Sequence, residues 1–311
     1  MPDLLPVSDP DPPTAYRPAQ PGQDALLPAA WILLLIASPL PQLIAAELFH
    51  VVPPWILPVQ VGAVAGGWLL IAVIRRTRSL WRLAPVLAAI LALPILVQPY
   101  RLDSPTLQRI TGGTAFDALM QGDQIGRLLV AGGMILLLLM LGFRRRDIFL
   151  TLGNPTAPIR PVPALGFRGG DSWVKFGLIW GLGVAAALVV VQSLLIRPDA
   201  TQLHAVAPMI PGILLYAAAN SFSEEMTYRV PLVAVLEPVV GSRSALWQSA
   251  VFFGIAHYFG TPGGLAGVAL STFFGWLLAK SLIETRGLLW AWFLHFLSDV
   301  AIFVFLAISV A

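Results

Sequence analysis

Six ionisable residues lie inside apolar stretches of the second half of this chain, in three groups of fixed spacing. Glu224, Glu225 and Arg229 fall in NSFSEEMTYR, His257 in FGIAHYFG, and His295 with Asp299 in WAWFLHFLSDV. An ionisable group placed deep in an apolar layer is unfavourable by a few kcal/mol, so such groups are kept for pairing, for an ion or proton path, or for chemistry. At 3.6 residues per turn Glu225 and Arg229 share one helical face, as do His295 and Asp299, whereas Glu224 is turned by about 100° from Glu225. Glu225 is therefore expected to neutralise Arg229 as a structural pair, which leaves Glu224 to face another helix. A carboxylate beside an imidazole in a partly dry cavity is a general-base candidate. The expectation is that Glu224 with His257 deprotonates a water, while His295 polarises a carbonyl or stabilises the oxyanion that develops on it. Asp299 would orient His295 or accept a hydrogen bond from a substrate. Glu224, His257 and His295 could instead hold a divalent metal such as zinc. The HExxH zinc helix is absent. A metal-assisted route and a metal-free one are left equally open.

The elements that must position these residues are membrane helices. The 311-residue chain is 57% hydrophobic and only 11% charged, less than half the charged fraction of roughly 25% in a soluble domain. Its mean hydropathy is +0.80. Apolar segments cover about 26–48, 53–74, 80–98, 126–143, 174–195, 207–238, 244–260, 264–283 and 287–309, and a span needs roughly 20 residues. The segment 207–238 exceeds one span, and Pro211 and Pro231 are placed to bend or break it. The expected fold is all-α, a polytopic transmembrane bundle of about 8–10 membrane helices. Residues 1–25, rich in proline, read as a disordered tail and lack the pattern of a cleaved signal peptide. Residues 26–172 read as an N-terminal bundle with a Pro/Gly-rich cytoplasmic connection over 144–172, and residues 173–311 as a second bundle. The absence of cysteine excludes disulfides and thiolate metal sites. The net charge of +3 does not point to nucleic acid, because arginine-rich loops are explained by the positive-inside rule.

Arg75, Arg76, Arg78 and Arg82, then Arg144 to Arg146 with Arg160 and Arg168, then Arg243, Lys280 and Arg286, all fall on one side if each segment crosses once. That side is expected to be the cytoplasm, with the N-terminus on it and the protein in the plasma membrane. At 1.5 Å per residue, Glu224 would lie on the order of 10 Å below the cytoplasmic face, His257 roughly 20 Å deep and His295 roughly 12 Å deep. The three can then meet in a cavity open to the cytoplasm. Asn220, Ser221 and Ser223 are expected to be helix–helix hydrogen-bonding groups. Glu47, His50 and Gln60 are read as interfacial or loop residues.

At these positions the sequence resembles a known family. EEMTYR fits an EExxxR motif through Glu224, Glu225 and Arg229; FGIAH fits FxxxH through Phe253 and His257; HFLSD fits HxxxN/D through His295 and Asp299. The order and spacing are similar to those of the CPBP family of intramembrane proteases, which includes CAAX prenyl proteases and bacteriocin-processing and immunity relatives. The resemblance covers about residues 205–305. It implies a membrane endopeptidase whose first glutamate and second-motif histidine activate water, and whose third-motif histidine with its Asn/Asp partner binds the scissile carbonyl. It implies a peptide or protein substrate, in CAAX members a lipidated C-terminal tail, cleaved at a site open to the cytoplasm beside membrane lipid. An ionised Asp299 would donate poorly to an oxyanion, so it would be protonated there or serve as an orienter. Two non-enzyme readings stand beside this one: a catalytically silent immunity or scaffold protein of the same fold, and a proton-coupled transporter, against which the lack of repeat halves counts.

Overall fold

Long apolar runs without water to bond their backbones must close their own hydrogen bonds, and the chain does so as helices. The computed structural model describes residues 16–18, 26–100, 102–168, 170–261 and 263–311, and among them there is no strand. In order the helices are α1 (Leu27–Ala37), α2 (Leu40–Phe49), α3 (Ile56–Val73), α4 (Leu83–Val97), α5 (Pro105–Thr111), α6 (Ala115–Met140), α7 (Trp173–Ile196), α8 (Ala200–Val206), α9 (Ile210–Glu224), α10 (Val230–Ala256), α11 (Gly264–Thr285) and α12 (Leu289–Ile308). Helices α1 and α2 meet at a bend of 58°.

The run from Ala200 to Phe259 is helical over nearly all of its 60 residues, which would reach about 90 Å as a straight rod, three times an apolar layer of about 30 Å. It folds back at Gly241, whose φ of 79° and ψ of 161° lie outside the helical region and are open almost only to glycine. Arg229 and Phe253 stand equally far in sequence on either side of Gly241, and the Arg229 guanidinium lies 4.1 Å from the Phe253 ring centre. The two limbs are therefore a hairpin. Among the described residues seven helices are long and apolar enough to cross a membrane, or eight if α1 and α2 form one span; with the two limbs of the hairpin counted apart, each of the nine apolar segments of the sequence holds a helix.

Pro231 does not break its rod. The turn just before it, Glu225–Arg229, widens into a π-helix. Proline lacks an N–H and its ring crowds the carbonyl four residues back, here that of Thr227, so the wider turn is where the mismatch is absorbed. The rod consequently runs unbroken from Ile210 to the Gly241 turn, and Glu224 sits about 21 Å from one end and about 25 Å from the other. Glu224 thus sits near the middle of the rod's length.

The linker is docked rather than loose. Asn154 N–H donates to Thr285 O (2.8 Å), Leu288 N–H to Thr151 O (2.8 Å), and Trp290 Nε1 to Pro155 O (2.9 Å). Beneath it Lys280, one of the basic residues expected at the cytoplasmic side, is buried and paired with buried Glu284. Glu284 also accepts from Trp173 Nε1 (3.0 Å) and the Arg160 N–H (3.2 Å). Residues 16–18, within the stretch expected to be a tail, lie on this end: Arg17 and Ser242 exchange two hydrogen bonds. The rest of residues 1–25 lies outside the described residues.

Candidate active site

The π turn decides how the two adjacent glutamates are aimed. Both reach His295 on α12. Glu225 Oε1 accepts from His295 Nδ1 at 2.8 Å and pairs with Arg229, all three side chains being essentially buried. Glu224 Oε2 lies 3.6 Å from His295 Nε2, and Asp299 Oδ1 lies 3.7 Å from the same nitrogen. The expected structural pair Glu225–Arg229 is present, but Glu225 does more than neutralise arginine: it fixes the tilt of the His295 ring. With Nδ1 donating to Glu225, Nε2 is the atom turned toward Glu224 and Asp299.

Phe253 is the hinge of this arrangement and explains why an aromatic residue stands one turn before His257. Its ring lies under the Arg229 guanidinium, 4.3 Å from the His257 ring and 5.7 Å from that of His295. The guanidinium nitrogens Nε and Nη2 make no hydrogen bond among the described residues, and the electron-rich ring face covers that side of the cation. Phe253 also supplies the carbonyl that receives His257 Nδ1 at 2.9 Å. A carbonyl only accepts, so His257 carries its proton on Nδ1 and leaves Nε2 with a lone pair. Close packing of this limb on α11 is allowed by Gly254, where a Cβ would lie 1.9 Å from Thr272 Oγ1.

Two further residues complete the site: Asn220, expected as a helix–helix hydrogen-bonding group, and Arg127, which the sequence reading does not single out. Asn220, one turn before Glu224, donates to Glu224 Oε1 (3.3 Å) and to Asp299 Oδ2 (3.1 Å), and so ties the two carboxylates together. Arg127 comes from the first bundle: its Nη1 donates to Glu224 Oε1 at 2.9 Å and its Nε to Asp123 at 2.6 Å. Glu224 faces another helix, as expected, but meets a cation there. The pairing belongs to a polar seam between α6 and α9. Tyr216 OH donates to Asp117 (2.8 Å), Gln124 donates to Asn220 (3.3 Å), and Arg127 follows with Glu224. A cavity of about 140 Å³ opens at Glu224, lined by Pro94 and Val97 of α4, Asp123, Arg127 and Val130 of α6, and Thr227 and Tyr228 of the π turn.

The zinc alternative can be weighed on these donors. Among the described residues no three His, Asp or Glu side chains converge as a metal site requires. The cation facing Glu224 Oε1 is already a guanidinium. As they stand, Glu224, His257 and His295 do not fit a zinc ion, whose ligands must surround it at about 2.0–2.2 Å.

The cluster therefore offers a carboxylate at a cavity, an imidazole with a lone pair, a second imidazole held by a buried carboxylate, and an amide bridging two acids. Those parts suit proton transfer to and from water next to a polarised bond. No curated protein and no solved structure matches the chain. Residues 206–301 match the family model of type II CAAX prenyl endopeptidase Rce1-like proteins. That match takes in all three motifs and lies wholly in the second bundle; it is consistent with a CPBP family intramembrane protease and, at the level of the family, supports an intramembrane CAAX-type protease.

Proposed function

We propose that this protein is an intramembrane endopeptidase in which Glu224 and His257 activate a water molecule and His295 receives the carbonyl of the scissile bond. The observation that carries this is the gathering of three carboxylates around the His295 ring, Glu225 at Nδ1 and Glu224 with Asp299 at Nε2. Glu224 takes a proton from water as its oxygen adds to the carbonyl carbon. The carbonyl oxygen, gaining charge, is met by an N–H at His295 Nε2, which requires the ring to hold both protons, a cation offset by the three neighbouring carboxylates. Glu224 then returns its proton to the departing amide nitrogen as the C–N bond breaks. Glu225 keeps the ring tilted, and Asp299 with Asn220 holds Glu224 and His295 in register. The Nε2 lone pair of His257 supplies a second acceptor for the water.

The substrate we propose is a protein or peptide tail that reaches the cavity between α4, α6 and the π turn from the lipid, consistent with a lipidated C-terminus. We place the arginine-rich end in the cytoplasm, in the plasma membrane, on the positive-inside rule. The test is cleavage of a fluorogenic lipidated peptide by purified protein. Glu224→Gln and His257→Ala should each lower kcat by a factor of roughly a thousand, with unchanged thermal unfolding. Cleavage that persists in both variants would remove the mechanism. A folded wild-type protein inert toward a broad panel of tails would favour a silent relative.

A further inference from the structure

Away from the active site, a second cavity of about 720 Å³ opens at the arginine-rich end. Four guanidinium side chains line it, from four separate parts of the chain: Arg17 from residues 16–18, Arg82 at the start of α4, Arg146 after α6 and Arg286 at the end of α11. The acids lining it are Asp147 and Glu237, two against four. Both have partners: Asp147 accepts the Arg144 N–H at 2.8 Å, and Glu237 binds Arg286 at 2.6 Å and Ser242 at 2.6 Å. Among the described residues the walls therefore hold four guanidinium groups against two carboxylates.

Arg82 is the decisive element. Its guanidinium lies 4.8 Å from the Phe143 ring and 5.3 Å from the Trp81 ring, which fixes its plane without using its donors. Its Nε is buried and makes no hydrogen bond among the described residues. A buried donor without a partner calls for an acceptor, and a fixed guanidinium fork matches a phosphate oxygen pair. The volume lies in the range of small-ligand sites. The arginine-rich ends of the helices are where headgroups lie, and basic pockets between membrane helices there suit anionic headgroups.

We propose that this cavity is a binding site for the phosphate of an anionic phospholipid, with Arg82 and Arg146 as its principal ligands. It is independent of the peptidase reading, because its test needs no cleavage. The probe is phosphatidylglycerol added to the full-length protein in a neutral detergent, read as a shift in unfolding temperature and as a titrated affinity. Phosphatidylglycerol should stabilise the protein and phosphatidylcholine should not. Arg82→Gln and, separately, the exposed Arg146→Gln should each weaken phosphatidylglycerol binding about tenfold or more, the range expected for losing a charged hydrogen bond. Arg75→Gln, at the same end but not in the cavity, should leave it unchanged. If Arg82→Gln fails to fold, Arg146→Gln against Arg75→Gln decides the matter. Equal weakening by Arg75→Gln would reduce the effect to general surface charge and overturn the site. An equal temperature shift from inorganic phosphate would overturn the lipid as its occupant.

Discussion

Replacing Arg229 by methionine keeps most of the side-chain volume and removes only the cation. Arg229 and Glu225 are both fully buried. Taking away one member of a buried ion pair leaves a charge in a poor solvent and destabilises by about 3–5 kcal/mol. At roughly 2 °C per kcal/mol for a chain of this size, unfolding should fall by about 6–10 °C. Adding Glu225→Leu removes the stranded charge, and most of the loss should return, since buried pairs are often replaced by apolar groups at little cost. Activity should not return with it. Glu225 is also the acceptor of His295 Nδ1, so the double variant folds with an imidazole free to swing. Thermal unfolding by tryptophan fluorescence, with peptide cleavage measured in parallel, separates the two effects. If Arg229→Met unfolds within about 2 °C of wild type, or the double variant is no more stable than the single, the pair does not have the energetic weight its burial implies.

Arg127→Gln should lower kcat about tenfold to a hundredfold by releasing Glu224 from its cation, while Arg127→Lys restores part of it; equal kcat in all three proteins would place Arg127 outside the reaction. Gly241→Ala forces a side chain into φ 79° and should destabilise by about 1–3 kcal/mol. Cleavage should fall with it because the limb carrying Phe253 and His257 shifts, and unchanged unfolding would show that the turn tolerates a Cβ. Treatment with a strong chelator should leave cleavage unchanged, given that Arg127 and Asn220 occupy Glu224 Oε1. Loss of activity that zinc alone restores would replace the metal-free route.

The apolar segments were legible because lipid leaves a chain few options: each run long enough to span became a rod. The three motifs were legible because charge is so unfavourable in such rods that every survivor is informative. Arg127 was missed for a physical reason. Arg127 is the second residue of the apolar run over 126–143 and so resembles a charge at a span end, yet the helix begins eleven residues earlier at Ala115. The signal was present in Thr114 and Asp117, spaced as a capping box that the structure realises. Asp117, Gln121 and Gln124 then repeat at helical spacing on one face, all buried. A polar stripe in a membrane protein reads as loop when it is in fact a face turned inward. The π turn was hidden because regular geometry was assumed through Glu224 and Glu225. Under that assumption the two point about 100° apart, and only one could have reached His295. The lining of the arginine-rich cavity was not legible at all, since its four arginines are far apart in sequence and meet only through the hairpin at Gly241 and the docked linker.

The seam between α6 and α9 makes the two halves of the chain mutually dependent. A truncated protein starting near residue 173 would present to hydrocarbon a phenol, an amide and an acid whose companions, Asp117, Gln124 and Arg127, had been cut away. No acyl chain can replace them. The C-terminal portion should accumulate in membranes only when residues 26–172 are co-expressed, even as a detached polypeptide, because the polar face within the family-matched residues 206–301 is completed by α6.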